Sequence, residues 1–350
     1  MQNPLQGEYK SNFPIVAERD AEHSASPSDR WGVVLAGGDG ERLKPLVQMI
    51  FGDRRPKQFC SLFGGQTLLG SALRRAKQII PAQKLLVPLN ALHQGWYCRE
   101  PELHADQRVV QPANRGTAPA IAYCLLSIAD LSPDATVAIL PSDHHYKDEP
   151  LFTAEMESAF AHAERYPDEV VLLGARPDAP EVGYGWIELG SHLPEPEVFR
   201  VKSFREKPCE EVARTLLRKD TAWNTFVMVG RIKAFLDMLR RSLPDVTGLM
   251  AKARLWKGAE SYTGDSLYQQ IPSTDFSRRV LAVETDHLLV MRLKEVGWND
   301  LGDPERVVAM ARASGREPWW ARAWDSLRMT PKAEAASQAS GKAPLSRISA

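Results

Sequence analysis

An open α/β sheet is the fold class this sequence predicts, and three observations carry it. Short apolar runs such as Val33 to Leu35 and Ala135 to Leu140 suit strands buried on both faces. They alternate with segments whose apolar residues recur at helical spacing. Two of the runs end directly in loops that carry glycines or a carboxylate, at the carboxyl edge where such sheets hold ligands.

The first strand runs into Gly37, Gly38 and Gly40, where the backbone can turn sharply and present N–H groups with no Cβ in the way. On glycine spacing alone, a tight turn that binds nothing is an equal reading. Arg42, which can fork onto phosphate oxygens, and Lys57, a mobile point charge, shift the balance towards a polyphosphate. There is no G-K-[ST] of a P-loop, and Leu43 stands where the last glycine of G-x-G-x-x-G belongs.

The spacing then predicts a helix over 67–80, a strand over 84–89 and a third strand over 107–112. Asn114, Arg115, Gly116 and Thr117 follow at a strand-to-helix junction, as ligand donors and acceptors or, for Thr117, as a helix cap. The strand 135–140 ends in Pro141-Ser142-Asp143-His144-His145, which places Asp143 as an oxygen ligand for a magnesium ion that bridges phosphates, or as an N-cap. The two histidines suggest zinc, but neighbours on extended chain diverge, so capping or packing is expected of them.

A helix over 151–165 and a strand over 170–174 read as scaffold. Gly183-Tyr184-Gly185 suits either a hairpin bend or the close approach of a flat ligand. A strand over 198–204 leads to Glu206 and Lys207, an acceptor beside a cation. Helices are expected over 210–217 and 232–243 and over most of 249–270, with Trp256 and Tyr262 packing, and last strands over 281–283 and 288–291. Asp300, among the glycines of 297–302, is either a turn former or a second metal carboxylate facing Asp143. One or two helices over 305–327 would dock through Trp319, Trp320 and Trp324.

Composition limits the function. The 350 residues hold 44 lysines and arginines against 44 aspartates and glutamates, so no global field exists to collect nucleic acid. Cys60, Cys98, Cys124 and Cys209 form no C-x-x-C pair and read as reduced, mostly buried thiols. No apolar run reaches the length of a membrane span and no secretory leader is evident, so a cytoplasmic location and no membrane partner are expected. Residues 1–29 read as a flexible arm and 329–350 as a disordered tail, around a domain over 30–302 and a helical extension over 303–328.

Leu35-Ala36-Gly37-Gly38-Asp39-Gly40-Glu41-Arg42-Leu43 and Pro56-Lys57-Gln58-Phe59 resemble the signature L-A-G-G-x-G-x-R-L-W-P-L … P-K-Q-F of the sugar-1-phosphate nucleotidyltransferases, closest to the mannose-1-phosphate guanylyltransferases. Lys44 replaces the tryptophan, Glu41 replaces a common threonine, and 47–55 makes a longer loop. The segment 113–122 is similar to the family's guanine and ribose segment, with Asn114-Arg115-Gly116 in place of Gly-Arg-Asn. Four further matches follow in family order: L-P-x-D-H at Asp143, G-Y-G-x-I at 183–187, F-x-E-K-P at Glu206 and Lys207, and W-N-S-G-M-F at Asn224, where Thr225 and Phe226 replace Ser-Gly. G-W-x-D-x-G at Asp300 closes the series, whereas 268–280 departs from the corresponding family segment.

The resemblance implies an α/β fold with a Rossmann-like, doubly wound mixed sheet of the nucleotide-diphospho-sugar transferase type. It implies nucleotide contacts from Leu35, Ala36, the loop glycines and Asn114 to Thr117, with Arg42 and Lys57 on the polyphosphate. It further implies sugar-phosphate contacts from Gly183, Tyr184, Gly185, Glu206, Lys207 and Asn224, and Mg2+ on Asp143 and Asp300. The expected substrates are GTP and mannose-1-phosphate, giving GDP-mannose and pyrophosphate, with a homodimer left open. Another nucleotide and sugar pair, or a non-catalytic regulatory subunit that binds nucleotide sugar, are the alternatives.

Overall fold

The computed structural model describes residues 29–255, 266, 268–313, 315 and 317–329. Eleven strands are assigned among them: β1 Arg30–Leu35, β2 Leu85–Asn90, β3 Arg108–Gln111, β4 Thr136–Pro141, β5 His144–Tyr146, β6 Val170–Ala175, β7 Gly185–His192, β8 Val198–Glu206, β9 Thr221–Arg231, β10 Leu288–Arg292 and β11 Trp298–Asp300. The helices used below are α1 Lys44–Phe51, α2 Leu68–Ala76, α3 Gln94–Tyr97, α4 Thr117–Leu131, α5 Glu149–Arg165, α6 Glu210–Leu217, α7 Ile232–Ser242 and α8 Pro244–Leu255. Two more, α9 Pro304–Ala313 and α10 Trp319–Met329, close the described chain.

Nine strands form one sheet in the order β3-β2-β1-β4-β9-β6-β10-β8-β7. β1 runs parallel to both β2 and β4, so the chain winds outward in one direction to β3 and then crosses back to β4. That reversal makes the carboxyl ends of β1 and β4 a topological switch point, where a crevice opens. β9 then runs antiparallel between β4 and β6, which makes the sheet mixed, as expected.

Alternation along the strands builds a core on each face. Val33, Val137 and Ile139 pack with α4, α7 and α8, while Val34, Ala138 and Leu140 pack with α2 and α5. Both faces are therefore covered, which is why these strands read as apolar throughout.

Four local expectations are corrected. The longer loop over 47–55 is mostly helix: Lys44–Phe51 forms α1, with Pro45 in its first turn and Gly52 at φ 72 ending it. Leu46 and Val47 are buried against Leu301, Val307 and Trp320 in a cluster of their own. The strand expected over 281–283 does not form: 277–281 make a π-helical turn, Ala282 and Val283 follow as a turn, and Val283 is 63% exposed where a strand of this sheet would be covered. Trp320 docks the terminal helices, but Trp319 is 64% exposed. Cys60 and Cys124 are buried, whereas Cys98 and Cys209 are exposed, so only half of the thiols are interior; burial pushes that of Cys60 up to about 12.

Trp256, Tyr262 and the two terminal segments 1–28 and 330–350 lie outside the described residues. Among the described residues no helix is long and apolar enough to cross a membrane.

Leu46 has no exposed surface, so Leu46→Ala is expected to lower the unfolding free energy by about 2–5 kcal/mol in urea denaturation. A change of under about 0.5 kcal/mol would mean that α1 is not packed as described.

Candidate active site

At the switch point the crevice has a cavity volume of about 250 Å³ and is lined by residues from several separate chain segments. Leu35, Arg42, Lys57, Thr117, Asp143, Gly183, Tyr184, Gly185, Glu206, Lys207, Asn224 and Asp300, all marked as candidates from sequence, line it together.

The glycine loop leaves β1 and is pinned from behind. The Gln58 side-chain nitrogen donates to the carbonyls of Ala36 and Gly38 at 2.7 and 2.8 Å, and Ser142 Oγ donates to the carbonyl of Leu35 at 2.6 Å. Gly40 adopts φ 63, and a Cβ there would lie 3.1 Å from the backbone nitrogen of Lys57. Glycine at this position lets the segment carrying Lys57 close onto the loop.

Lys57 is ion-paired with Asp143, and both side chains are largely buried. Burial opposes charge on each. The Lys57 ammonium nevertheless holds the Asp143 carboxyl below its ordinary range, and Asp143, followed by Asp300, raises the pKa of Lys57. Asp300 reaches the same place through a short antiparallel ladder, in which β11 pairs with β5 and Asp300 sits opposite His144. A Cβ on Gly302 would come within 2.9 Å of both Arg42 Nη2 and Asp300 Oδ1, so this glycine makes room for the arginine beside the carboxylate.

His144 packs rather than caps, its buried ring edge-on to that of Trp298 at 5.5 Å. Its Nδ1 accepts from Trp298 Nε1 at 3.1 Å, which places the proton of the neutral ring on Nε2, 3.8 Å from Asp300 Oδ1. Burial keeps its pKa below the ordinary value, so the ring is neutral near pH 7. Asp143 is not an N-cap; Asp148 caps α5.

Across the crevice, β7 lies between β8 and β9 at Gly185, which pairs with Glu206 on one side and Asn224 on the other. A Cβ at Gly185 would sit 2.8 Å from Glu206 Oε2 and 3.3 Å from Asn224 Cβ. The glycine thus exposes an acceptor and an amide side by side. Lys207, at φ 49, extends the row, with its ammonium 2.9 Å from Glu206 Oε1. Asn224 Oδ1 accepts from the backbone nitrogen of Phe226 at 3.0 Å, and Phe226, at φ 57, lines the crevice.

The segment 114–117 divides its residues. Thr117 is not the cap of α4: Gly116 precedes the helix, and Thr117 Oγ1 accepts from the backbone nitrogen of Phe276 at 2.8 Å. Gly116, at φ 83, lies so close to Thr274 that a Cβ would stand 2.5 Å from its carbonyl oxygen. This contact draws Asp275 and Ser277 into the crevice wall. Asn114 donates to Asp39 Oδ2 at 3.0 Å on the rim, and Arg115 is turned onto Gln269, reaching its Oε1 at 2.6 Å.

Sequence reasoning missed Asp275, Ser277, Phe226, Trp298 and Arg306. Arg306 carried one legible signal: Asp303 followed by Pro304 reads as N-cap and first helical residue, which places Arg306 within one turn of the Asp300 loop.

The donor set suits magnesium. Two hard carboxylates converge on a largely buried part of the pocket, and Mg2+ is typically held by one or two carboxylates together with substrate phosphates and water. Among the described residues no group of three or more histidine, cysteine, aspartate or glutamate side chains forms a dedicated metal cage.

An open mixed α/β sheet with a cationic glycine loop and paired carboxylates at its switch point defines a nucleotide-binding class. Within it, the chain belongs to the nucleotidyl transferase family, whose profile matches residues 31–315. It is 29% identical over 298 residues to the xanthan biosynthesis protein XanB of Xanthomonas campestris pv. campestris strain B100, covering 83% of this chain and 61% of that protein. It is also 29% identical over 287 residues to a mannose-1-phosphate guanylyltransferase of Escherichia coli K12, covering 79% and 58%. The chain thus spans about three-fifths of the length of these relatives. A crystal structure from Thermus thermophilus, described as a mannose-1-phosphate geranyltransferase, superposes with a TM-score of 0.70 at 28% identity, over 83% of this chain and 80% of that one.

Burial holds His93, His144, His145 and His162 below the ordinary histidine value of 6.5. The unfolded chain therefore binds protons at a higher pH than the folded one, and stability falls as pH drops below 6.5. Asp143, lowered from 3.8, and Lys57, raised from 10.5, act outside that window. The urea midpoint is expected to be lower at about pH 5.5 than at about pH 7.5, with the gap narrowed in His144→Gln. Equal midpoints would contradict the buried, neutral assignment.

Proposed function

We propose that this chain transfers the nucleoside monophosphate of a triphosphate to a sugar-1-phosphate, with GTP and mannose-1-phosphate as substrates and GDP-mannose and pyrophosphate as products. The observation that carries the reading is the division of the crevice. One wall holds Arg42, Lys57 and the two carboxylates, and the other holds Glu206, Lys207 and Asn224. A polyphosphate fits the first wall, and a hydroxylated ligand bearing one phosphate fits the second. Relatives named mannose-1-phosphate guanylyltransferase, at 29% and 27% identity, support mannose and guanine within that class.

In the reaction, a phosphate oxygen of the sugar-1-phosphate attacks the α-phosphorus in line. The new oxygen–phosphorus bond forms as the bond to the bridging oxygen breaks, and the pair of electrons leaves with pyrophosphate. No protein nucleophile is required, so the chain contributes position and charge. Lys207 holds the attacking phosphate while Glu206 and Asn224 accept from and donate to sugar hydroxyls. Arg42 and Lys57 offset the charge that grows on the leaving pyrophosphate. Asp143 and Asp300 would hold Mg2+, which supplies Lewis-acid stabilisation of the phosphoryl charge when bound. With its substrates small and anionic and two of its four thiols buried, the protein suits the reducing cytoplasm.

Another base remains the rival within the class, and one observation favours keeping it in view. Arg115, matched to a base-contacting segment, is engaged by Gln269 instead of lining the crevice.

The test is pyrophosphate release with magnesium, using each common triphosphate against mannose-1-phosphate and glucose-1-phosphate. The proposal expects release confined to GTP with mannose-1-phosphate. Another productive pair would keep the chemistry and move the substrate, and silence across the panel would sink the catalytic reading. Asp143→Asn and Asp300→Asn are expected to reduce turnover by at least about 100-fold; near-normal rates in either at saturating magnesium would remove that carboxylate from the site.

A further inference from the structure

Asp300 reaches the crevice on a three-residue strand flanked by Gly297 and Gly302, a mount with little stiffness of its own. What fixes its carboxylate comes from outside that strand. His144 Nε2 faces one oxygen at 3.8 Å, and Arg306 Nη1 stands 3.4 Å from the other. Arg306 is itself immobilised. Its Nε lies 3.1 Å from Asp303 Oδ2, its Nη2 lies 3.0 Å from Glu181 Oε2, and its guanidinium carbon sits 4.2 Å above the centre of the Tyr184 ring. The side chain is only 15% exposed.

We propose that Arg306 is a positioning residue that locks the Asp300 carboxylate and the Tyr184 ring into one unit, and so couples the cation side of the crevice to its sugar side. The inference rests on the nucleotidyltransferase reading above.

Three features of the geometry support it. A planar fork can address three carboxylates in different directions while stacking on a ring, and an ammonium cannot. Arg306, Arg42 and Lys57 face Glu181, Asp143, Asp300 and Asp303, three cations against four carboxylates, so the locus keeps the net negative charge that a dication needs. With one donor directed at each oxygen, Asp300 retains lone pairs for a metal ion. Gly183 belongs to the same arrangement, because a Cβ there would lie 2.9 Å from Arg306 Nη2. The glycine before Tyr184 thus serves the arginine as well as the ligand.

The experiment compares wild type, Arg306→Lys, Arg306→Met and Arg312→Met. Arg312 is on the same helix, but its partners Glu317 and Asp325 lie away from the crevice, so its variant reports the cost of loosening that helix alone. Free Mn2+ is measured by electron paramagnetic resonance with the protein alone, no nucleotide or sugar phosphate present, and the KM for mannose-1-phosphate is measured separately. Arg306→Lys is expected to weaken Mn2+ binding by about 10- to 100-fold, as for other groups that orient a metal ligand, and to raise the KM as well. Arg312→Met should move neither.

If Arg306→Lys binds Mn2+ and mannose-1-phosphate as wild type does, the inference is overturned. If it loses stability but matches wild type in both readouts, Arg306 is structural only, which overturns it equally. Should Arg306→Met fail to fold, the lysine variant still decides. A wild-type protein silent towards every substrate pair would defeat the functional reading, whereas the Mn2+ comparison would still judge the positioning of Asp300.

Discussion

The structure depends on a cation held between two carboxylates in a largely buried place. Lys57 and Asp143 would each be costly to bury alone, and breaking such a pair by removing one partner typically costs about 3–5 kcal/mol. A pair of this kind is a poor way to stabilise a fold, since well-packed apolar groups commonly do as well. Under the proposed function, its presence at the carboxyl ends of β1 and β4 would be poised charge, ready to exchange partners with a polyphosphate and a metal ion. Much of the surrounding architecture serves to hold these three groups in reach of one another.

The sheet does this by topology. Reversal of winding at β1 and β4 opens the crevice, the Gln58 and Ser142 side chains tie the glycine loop and the Asp143 loop to the strand ends, and the β5–β11 ladder brings Asp300 opposite His144. The second wall is a different device. Three antiparallel strands meet at Gly185, and the missing side chain there lets Glu206 and Asn224 stand together. The two unlike walls follow from the change from parallel to antiparallel pairing at β9.

The regular parts of this arrangement were legible in the sequence because they rest on local patterns. Apolar runs marked β1, β4 and β6, and Asp143 and Asp300 stood out because a carboxylate follows a buried strand or sits between glycines. Asn224 and Lys207 were recognised by motif rather than by periodicity. What stayed hidden depends on contacts distant in sequence. α1 is a helix only because Leu46 and Val47 find Leu301 and Val307, more than 250 positions away. Asp275 and Ser277 enter the crevice because Gly116 admits Thr274, and no pattern in 268–280 announces that. Arg306 lies in an ordinary helical first turn, and its partners come from two other loops.

If Lys57 is a polyphosphate ligand held in waiting by Asp143, calorimetric titration of GTP into wild type and Lys57→Gln will separate the two proteins. The glutamine variant, while still folded, is expected to lose at least about tenfold in GTP affinity, equivalent to about 1.4 kcal/mol, and to bind mannose-1-phosphate as before. Unchanged GTP affinity in a folded variant would contradict that role, and would make the Lys57–Asp143 pair a structural element of the fold instead of part of the site.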